Sequence, residues 1–378
     1  MRWAYPVARV AGTQVRVHVT FLLLLMLIAA GAWSSGGAEG AVRGTTFILL
    51  LFLSVLLHEL GHAAAARRYG IATPFIILLP IGGIAAMQGM PRQPRRELTV
   101  AMAGPAVNVA IALAIAASLR LSGGDATPFA AAPGEPVSLA VSLMNANIAL
   151  VLFNLLPAFP MDGGRMLRAG LAMRMDYVRA TRVAATTGQV FALLLGMIGL
   201  LGNPLLLLIA LVVYLGAGQE AEMVRMQAIT ARYPAAAAMA TGLRTLVPDA
   251  GLHDARGPLL HSAQDVFPVV DDAGRLEGIV TAADLVSALG RGGAHHLIRS
   301  LLRADVPSIR GTEPLDQAVR RMGESHAPAL LVTGDDGHLL GVVTPLTVAR
   351  LVAMEGAGAT RPPEAVPLAP TVPAPAHG

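Results

Sequence analysis

Residues 54–65 read Ser54-Val-Leu-Leu-His58-Glu59-Leu-Gly-His62-Ala-Ala-Ala within a long apolar run. His58 and His62 are four residues apart, so a helix places both imidazoles on one face, where they can hold one Zn²⁺. Glu59 can then act as general base toward the attacking water. The alternative is a chance match with two hydrogen-bonded structural histidines. Because ionisable side chains are expensive in lipid and usually functional there, three on one turn predict a metal site inside a membrane helix.

A catalytic zinc site needs a third protein ligand. The other carboxylates of residues 1–223 fall in outer loops, in inner loops or at the ends of apolar spans beside arginines. Asp162 differs, because it follows an apolar span in Asn154-Leu-Leu-Pro-Ala-Phe-Pro-Met-Asp162-Gly-Gly. The prolines and glycines break the helix there, which suits irregular backbone around a cavity. We therefore predict Asp162 as the third ligand; the alternative is a residue of a helix-terminal turn.

Composition separates this chain from soluble enzymes. Of its 378 residues, 54% are hydrophobic and 14% charged, whereas soluble globular chains carry about 25% charged residues. This excludes a disordered chain and argues against an ordinary cytosolic enzyme. The absence of cysteine excludes disulfides, thiolate metal sites and a cysteine nucleophile. The net charge of +4 gives no case for nucleic-acid binding.

Apolar stretches concentrate in the first 220 residues. Six of them are long enough, or nearly so, to cross a bilayer: 17–35, 45–66, 98–120, 137–158, 185–201 and 203–220. Arginines cluster before the first and after the second, fourth and sixth, which predicts that the N-terminus and the C-terminal half are cytoplasmic in a multi-pass protein of the inner (plasma) membrane. The alternative is that the first stretch is a signal peptide, whose cleavage would leave five spans.

Residues 73–88 are too short and too broken by Pro and Gly to form a span. We expect a short re-entrant hairpin whose edge pairs with an extended substrate; the alternative is a buried packing loop. Asn108, Asn145 and Asn147 lie in or near spans and are predicted to form hydrogen bonds between helices, or else to line a cavity. The predicted fold of this half is a six-helix transmembrane α bundle with a re-entrant hairpin.

Charge returns after residue 224, and the remaining sequence contains a repeat. Leu252, Ala255, Gly274, Gly278, Val280 and Thr281 recur 63 residues later, in units that read helix, strand, turn, strand, helix. The predicted domains are a membrane domain at 1–223, a linker at 224–237, and an α+β tandem module at 238–354 with repeats at 238–290 and 303–354. Residues 355–378 are rich in Pro and Ala and predicted to be disordered.

H-E-L-G-H in a membrane span, followed by N-x-x-P-x-x-P-x-D-G, resembles the site-2 protease family of intramembrane zinc metalloproteases, peptidase family M50. The segments Pro80-Ile-Gly-Gly-Ile84 and Ala103-Gly-Pro-Ala-Val-Asn108 are also similar to that family. The resemblance implies that His58, His62 and Asp162 are the zinc ligands. It also implies that Glu59 is the catalytic base and acid, and that Asn154 is a polar residue beside the scissile peptide that holds the substrate or the oxyanion.

The two repeats resemble a tandem pair of CBS domains, which often bind adenine nucleotides. The family's T-x-x-D motif places a hydroxyl and a carboxylate on the ribose. The first repeat has Thr281 and Asp284, whereas the second has Thr344 but Thr347 in place of the carboxylate. The resemblance therefore implies at most one good nucleotide site. The alternative is a structural module, or one that forms a homo-oligomer.

Together these features predict an intramembrane zinc endopeptidase that performs regulated proteolysis of single-pass membrane proteins, such as anti-sigma factors or membrane-bound pro-factors. The paired repeats would control it through adenine nucleotide or mediate assembly. One alternative is an inactive metal-binding scaffold, which the intact motif argues against. Another is a CBS-regulated transporter, which would show inverted repeats. Other H-E-x-x-H membrane proteases usually take a glutamate as third ligand, and we find none at membrane depth.

Overall fold

The computed structural model describes most of the chain, namely residues 3–80, 82–87, 89, 91–129, 138–262, 264–271, 275–291, 296–334 and 338–356. The chain divides into two compact units, Met1–Glu222 and Met223–Gly378. The helices of the first unit are α1 (Val19–Arg67), α2 (Pro94–Leu121), α3 (Leu139–Asn154), α4 (Asp162–Ala172) and α5 (Tyr177–Leu200). Helix α6 (Pro204–Thr230) begins in this unit and continues past its last residue, Glu222. Within the described residues, α1, α2, α5 and α6 are long and apolar enough to cross a membrane, and α3 is a shorter apolar helix.

Helix α1 covers the first two predicted spans and is interrupted between them. Gly36 and Gly37 have non-helical backbone angles, and Gly37 has a positive φ of 60°, which glycine adopts without a steric penalty. The rings of Phe21 and Phe52 lie 4.5 Å apart in an edge-on contact, so the chain turns back and the two arms pack on each other. The helices thus follow the predicted apolar stretches, while the exact count of six spans stays a prediction.

A four-stranded sheet accompanies these helices, in the order β1 (Ala4–Val10), β2 (Thr13–His18), β3 (Phe75–Leu79) and β4 (Gly82–Ala85). The β1–β2 and β3–β4 pairs are antiparallel, whereas β2 and β3 are parallel. The hairpin expected within 73–88 is therefore present as β3–β4, and its entry into the membrane stays a prediction. The sequence did not predict β1 and β2. Strand β3 is central in the sheet, and Ile76, Ile77 and Leu78 are buried.

The chain between α3 and α4 is short and irregular. Helix α3 ends at Asn154, earlier than the predicted span end at 158, because Pro157 and Pro160 cannot continue a helix. Helix α4 then begins at Asp162 itself. A carboxylate at this first helical position is favoured by the helix dipole, so the sequence places Asp162 at a defined helix start.

The second unit contains the two predicted repeats. The first holds α7 (Arg256–His261), β5 (Val266–Val270), β6 (Leu276–Thr281) and α8 (Ala282–Gly290). The second holds β7 (Ser308–Arg310), α9 (Leu315–Ser325), β8 (Leu330–Thr333), β9 (Leu339–Val343) and α10 (Pro345–Gly356). The β5–β6 and β8–β9 pairs are antiparallel. Val266 and Ile279 of the first repeat share a core with Leu331 and Val342 of the second, so the repeats pack as one α+β module.

The predicted linker and the predicted tail both overlap the end of a helix in the structure. Helix α6 runs to Thr230, inside the predicted linker 224–237, because Ile229 and Tyr233 are buried in the core of the second unit. The predicted disordered tail, 355–378, lies outside the described residues from 357 onward; residues 355 and 356 end α10.

Candidate metal centre

Three predicted ligands meet in the interior of the first unit. His58 and His62 project from the second arm of α1, and their Nε2 atoms lie 3.1 Å apart. The Oδ2 atom of Asp162, at the start of α4, lies 3.2 Å from the Nε2 atom of each histidine. All three side chains are buried. The local spacing fixes the two histidines on one helix, and the packing of α4 supplies the carboxylate.

The size of this triangle fits zinc. Zinc binds histidine nitrogen at about 2.0–2.1 Å and carboxylate oxygen at about 2.0–2.2 Å, so a tetrahedral site separates its ligand atoms by about 3.3 Å. The observed separations of 3.1–3.2 Å match this value. Two imidazoles and one carboxylate are the donor set of many catalytic zinc sites. His58, His62 and Asp162 can therefore hold one zinc ion.

Each imidazole is oriented by a hydrogen bond from its other ring nitrogen. Nδ1 of His58 donates to Oδ1 of Asn108 at 2.5 Å, and Nδ1 of His62 donates to the backbone oxygen of Val100 at 2.7 Å. Because both acceptors require a proton on Nδ1, the lone pair of each ring lies on Nε2, toward the triangle. Helix α2 thus sets the tautomer of both ligands.

Asn108, which orients His58, is itself held by a chain of hydrogen bonds to Asn147 and Ser54. Nδ2 of Asn108 donates to Oδ1 of Asn147 at 2.8 Å, and Nδ2 of Asn147 donates to Oγ of Ser54 at 3.2 Å. Asn108 and Asn147 are fully buried, and the chain of bonds joins α2, α3 and α1. These are the interhelical bonds that the sequence predicts for both asparagines. Asn145 instead accepts from the backbone N–H of Phe129.

Gly104 of α2 makes room for the two rings. A Cβ atom at this position would lie 2.6 Å from Nε2 of His58 and closer still to Nε2 of His62. No side chain can occupy this space without displacing the imidazoles. The Gly-Pro pair at 104–105 resembled a family motif in the sequence, and the structure shows the steric reason for its glycine.

Glu59 is half-buried and lies beneath the β3–β4 hairpin. A Cβ atom built on Gly83 of β4 would lie 2.7 Å from Cγ of Glu59, so the hairpin backbone touches this side chain directly. Glu59 follows His58 in the same helix and is therefore adjacent to the candidate metal ligands. The second predicted polar residue, Asn154, ends α3, and its amide donates to the backbone oxygen of Leu150 in its own helix at 2.9 Å.

The sequence missed a buried ion cluster. Arg168 of α4 is 1% exposed and binds Glu97 of α2 through Nε at 2.7 Å and Nη2 at 2.5 Å. Its Nη1 atom binds Glu220 of α6 at 2.5 Å. Sequence reasoning put Glu97 and Glu220 in inner loops or at span ends, but Glu97 is fully buried. The available signal is Arg168 itself, a charge in the middle of α4 that shares the buried positions of this helix with Asp162 and small residues.

In the second unit, Thr281 and Asp284 lie together at the start of α8. The Thr281 hydroxyl donates to Oδ2 of Asp284 at 2.8 Å and accepts from the Asp284 N–H at 3.1 Å. Nη2 of Arg303 binds the same carboxylate at 3.0 Å. Burial alone would raise the pKa of Asp284, but the hydrogen bonds from Thr281 and Arg303 outweigh it and hold that pKa below its usual value.

The equivalent position in the second repeat is neutral. The Thr344 hydroxyl accepts from the Thr347 N–H at 3.2 Å, and Oγ1 of Thr347 accepts from the Thr344 N–H at 3.0 Å. The two threonines thus satisfy each other across the start of α10. The structure shows the asymmetry that the sequence predicted, with a carboxylate at Asp284 and none at Thr347.

Known protein families match both halves of this chain. The family model described as peptidase family M50 matches residues 46–145 and 129–195, and the CBS domain model matches 235–291 and 298–353. A zinc metalloprotease of Methanocaldococcus jannaschii is 30% identical over 355 residues, covering 94% of this chain and 97% of that protein. The protein Rip3 of Mycobacterium tuberculosis is 32% identical over 375 residues, covering 93% of each chain.

A solved structure is also similar to part of this chain. The site-2 protease from Methanocaldococcus jannaschii is 36% identical, with a TM-score of 0.43, and the match covers 58% of this chain and 95% of that one.

Proposed function

The chain belongs to peptidase family M50 and is a zinc metalloprotease of the site-2 type, and we propose that it cuts single-pass membrane proteins within or near their membrane spans. The proposed substrates are anti-sigma factors and membrane-bound pro-factors whose release changes gene expression. The observation that carries this proposal is the buried triangle of two imidazoles and one carboxylate among long apolar helices. Such a site can hydrolyse a peptide bond that is itself presented at membrane depth.

We propose His58, His62 and Asp162 as the zinc ligands. The support is the match of their separations, 3.1–3.2 Å, to a tetrahedral zinc site. When bound, zinc polarises the scissile carbonyl and makes water a nucleophile near neutral pH. The Asn108 and Val100 acceptors keep both imidazoles in the tautomer that zinc requires.

Glu59 is proposed as the proton carrier. Its carboxylate would take a proton from the attacking water and pass it to the leaving amine. Its place beside His58 and under the hairpin supports this role, because water and substrate must meet there. Asn154 is proposed to hold the substrate or the developing oxyanion. An amide has two N–H donors, and its bond to Leu150 uses one.

The edge of β4 is the proposed binding strand for substrate. An intact helix hides its carbonyl groups, so the substrate must unwind before it can be cut. Strand β4 is the last in the sheet order β1-β2-β3-β4, and an extended peptide can add to such an edge by main-chain hydrogen bonds. The contact between Gly83 and Glu59 supports this, because a strand on that edge would run beside the proton carrier.

The proposed topology has six spans, formed by the two arms of α1 and by α2, α3, α5 and α6. The placement of arginines supports a cytoplasmic N-terminus and a cytoplasmic second unit in the plasma membrane. The proposed domains remain 1–223 for the protease and 238–354 for the CBS pair.

The CBS pair is proposed to bind one adenine nucleotide, with Thr281 and Asp284 on the ribose. Arg303 forms a partly exposed ion pair with Asp284. The ribose would therefore have to compete with Arg303 for the Asp284 carboxylate. Thr344 marks the equivalent, weaker position. Regulation of cleavage by nucleotide is one outcome of such binding; assembly of a homo-oligomer through the pair is the other.

The proposed function is tested by cleavage of tagged single-pass candidates in liposomes. Wild type is compared with E59Q, and with E324Q as a matched control because Glu324 is exposed on α9. We expect cleavage by wild type and E324Q, and a loss of about 100-fold or more in E59Q with zinc retained. Equal cleavage by E59Q contradicts the role of Glu59, and wild type without zinc contradicts the site.

A further inference from the structure

One face of α2 carries the three residues that orient the two histidines or make room for them: Val100, Gly104 and Asn108. Its buried residues recur with helical spacing: Glu97, Val100, Ala101, Gly104, Pro105 and Asn108. The Val100 carbonyl orients His62, the Asn108 amide orients His58, and Gly104 gives both rings their space. Glu97 begins the same stripe one turn before Val100, yet it contacts neither histidine.

The partner of Glu97 lies on the helix that carries the third ligand. Arg168 follows Asp162 by less than two turns in α4, a helix of 11 residues. Nε and Nη2 of Arg168 both bind Oε1 of Glu97, so a two-nitrogen clamp joins α4 to the turn of α2 next to Val100. The Glu97 side chain is 0% exposed and that of Arg168 2%, which excludes bulk water from the pair.

Further contacts surround the guanidinium of Arg168. Its remaining nitrogen, Nη1, binds Glu220 of α6. The rings of Phe159 and Tyr177 lie 5.0 and 5.1 Å from its carbon Cζ. Arg168 therefore connects α2, α6, the start of α5 and the irregular segment that leads into Asp162. Burying such a cluster carries a large desolvation cost, so its ion pairs by themselves are weak evidence for a contribution to stability.

The third ligand needs to be fixed in place more than the other two. His58 and His62 share one helix, which sets their separation. Asp162 comes from 100 residues further along the chain, and its place depends on how α4 packs. A slip of α4 by one residue would move Asp162 by about 1.5 Å, whereas zinc ligands must lie within about 0.2 Å of their ideal distances.

We propose that Arg168 is a positioning residue for the metal centre: its clamp on Glu97 holds α4 in register with α2, so that Asp162 completes the site that α2 orients. This inference rests on the proposed zinc site. It assigns a purpose to two buried charges that the hydrolytic chemistry does not use.

The test measures zinc affinity of the full chain in detergent, by chelator competition, without substrate. R168M alone leaves Glu97 buried without a counter-charge, which destabilises the fold. The double variant E97Q/R168M removes both charges, and R179M is the matched control, because Arg179 is exposed on α5. We expect the zinc Kd to rise about tenfold in E97Q/R168M, a weaker and shifted visible absorption of the cobalt-substituted protein, and no change in R179M.

A purely structural role gives a different result. E97Q/R168M would then melt at a lower temperature with wild-type zinc Kd and cobalt spectrum, which overturns the proposal. If the double variant does not fold, E97M, which removes the acceptor for Arg168 but retains the Arg168–Glu220 pair, decides: a rise in its zinc Kd supports the proposal and a wild-type Kd contradicts it. Normal zinc binding by a wild type that cuts no candidate would count against the proposed function alone.

Discussion

The metal centre and the Thr281–Asp284 pair are both polar sites predicted from short motifs, but their surroundings differ. In the metal centre, both histidines are oriented by buried acceptors on α2, and Asn108 is held in turn by Asn147. Asp284 is partly exposed, with 30% of its side-chain surface accessible, and its partner Arg303 is more exposed still. Buried neighbours fix the positions of the side chains in the metal centre and so define the geometry in which a ligand can bind. The partly exposed side chains of Asp284 and Arg303 do not by themselves define which ligand binds there.

The largest effect is expected where a buried ligand is removed. D162A takes away one of the three proposed zinc ligands, and removal of residues that merely orient ligands already costs about 10–100-fold in metal affinity. We expect a zinc Kd at least about 100-fold higher and no measurable cleavage. D176A is the control: Asp176 only caps α5 through two backbone N–H groups, so about 1 kcal/mol of stability is lost and zinc binding is unchanged. Equal zinc loss in both variants would contradict a specific role of Asp162 in binding zinc.

A steric change at Gly104 should come next. G104A places a methyl group against Nε2 of both histidines, so we expect loss of zinc and a decrease of about 1–3 kcal/mol in the free energy of unfolding. G170A is the matched control, because Gly170 is exposed on α4 and a Cβ there meets no atom within 4 Å. It should be neutral or stabilising by up to about 1 kcal/mol. Zinc-bound G104A with wild-type stability would contradict the packing described for the two rings.

Weakening the support of one ligand should have a smaller effect. N108A removes the acceptor for Nδ1 of His58 and breaks the chain of bonds to Asn147 and Ser54. The zinc Kd is expected to rise about 10–100-fold in chelator competition. N145A removes a bond to the backbone of Phe129 only and should keep the wild-type Kd. An equal loss of zinc affinity in N145A and N108A would contradict a specific role of Asn108 in orienting His58.

The smallest effect is expected at the CBS pair. Because the Asp284–Arg303 ion pair is partly exposed, D284A should change stability by no more than about 1 kcal/mol. Full-length wild type is expected to melt at a higher temperature with AMP or ATP, and D284A to lose that shift. T344A should keep it, since the second repeat lacks the carboxylate. A shift that survives in D284A would show that the nucleotide binds elsewhere.

The sequence predicted the features that leave a pattern in the order of the residues themselves. Helical spacing located His58 and His62, the exclusion of other carboxylates located Asp162, and the 63-residue offset located both repeats. Strands β1 and β2 escaped prediction because β1 is largely exposed and β2 pairs with β3 from far along the chain. The Arg168–Glu97 clamp also depends on packing between distant helices, and no spacing within the chain encodes it.

The most direct test of the metal centre is zinc X-ray absorption spectroscopy on the purified full-length protein, in wild type and in D162A. We expect one zinc per chain in wild type, with two imidazoles and oxygen ligands bound at about 2.0–2.2 Å. D162A should lose stoichiometric zinc while the second unit stays folded. Wild type without zinc, zinc bound by fewer than two imidazoles, or an identical spectrum and zinc content in D162A would contradict the proposed zinc site.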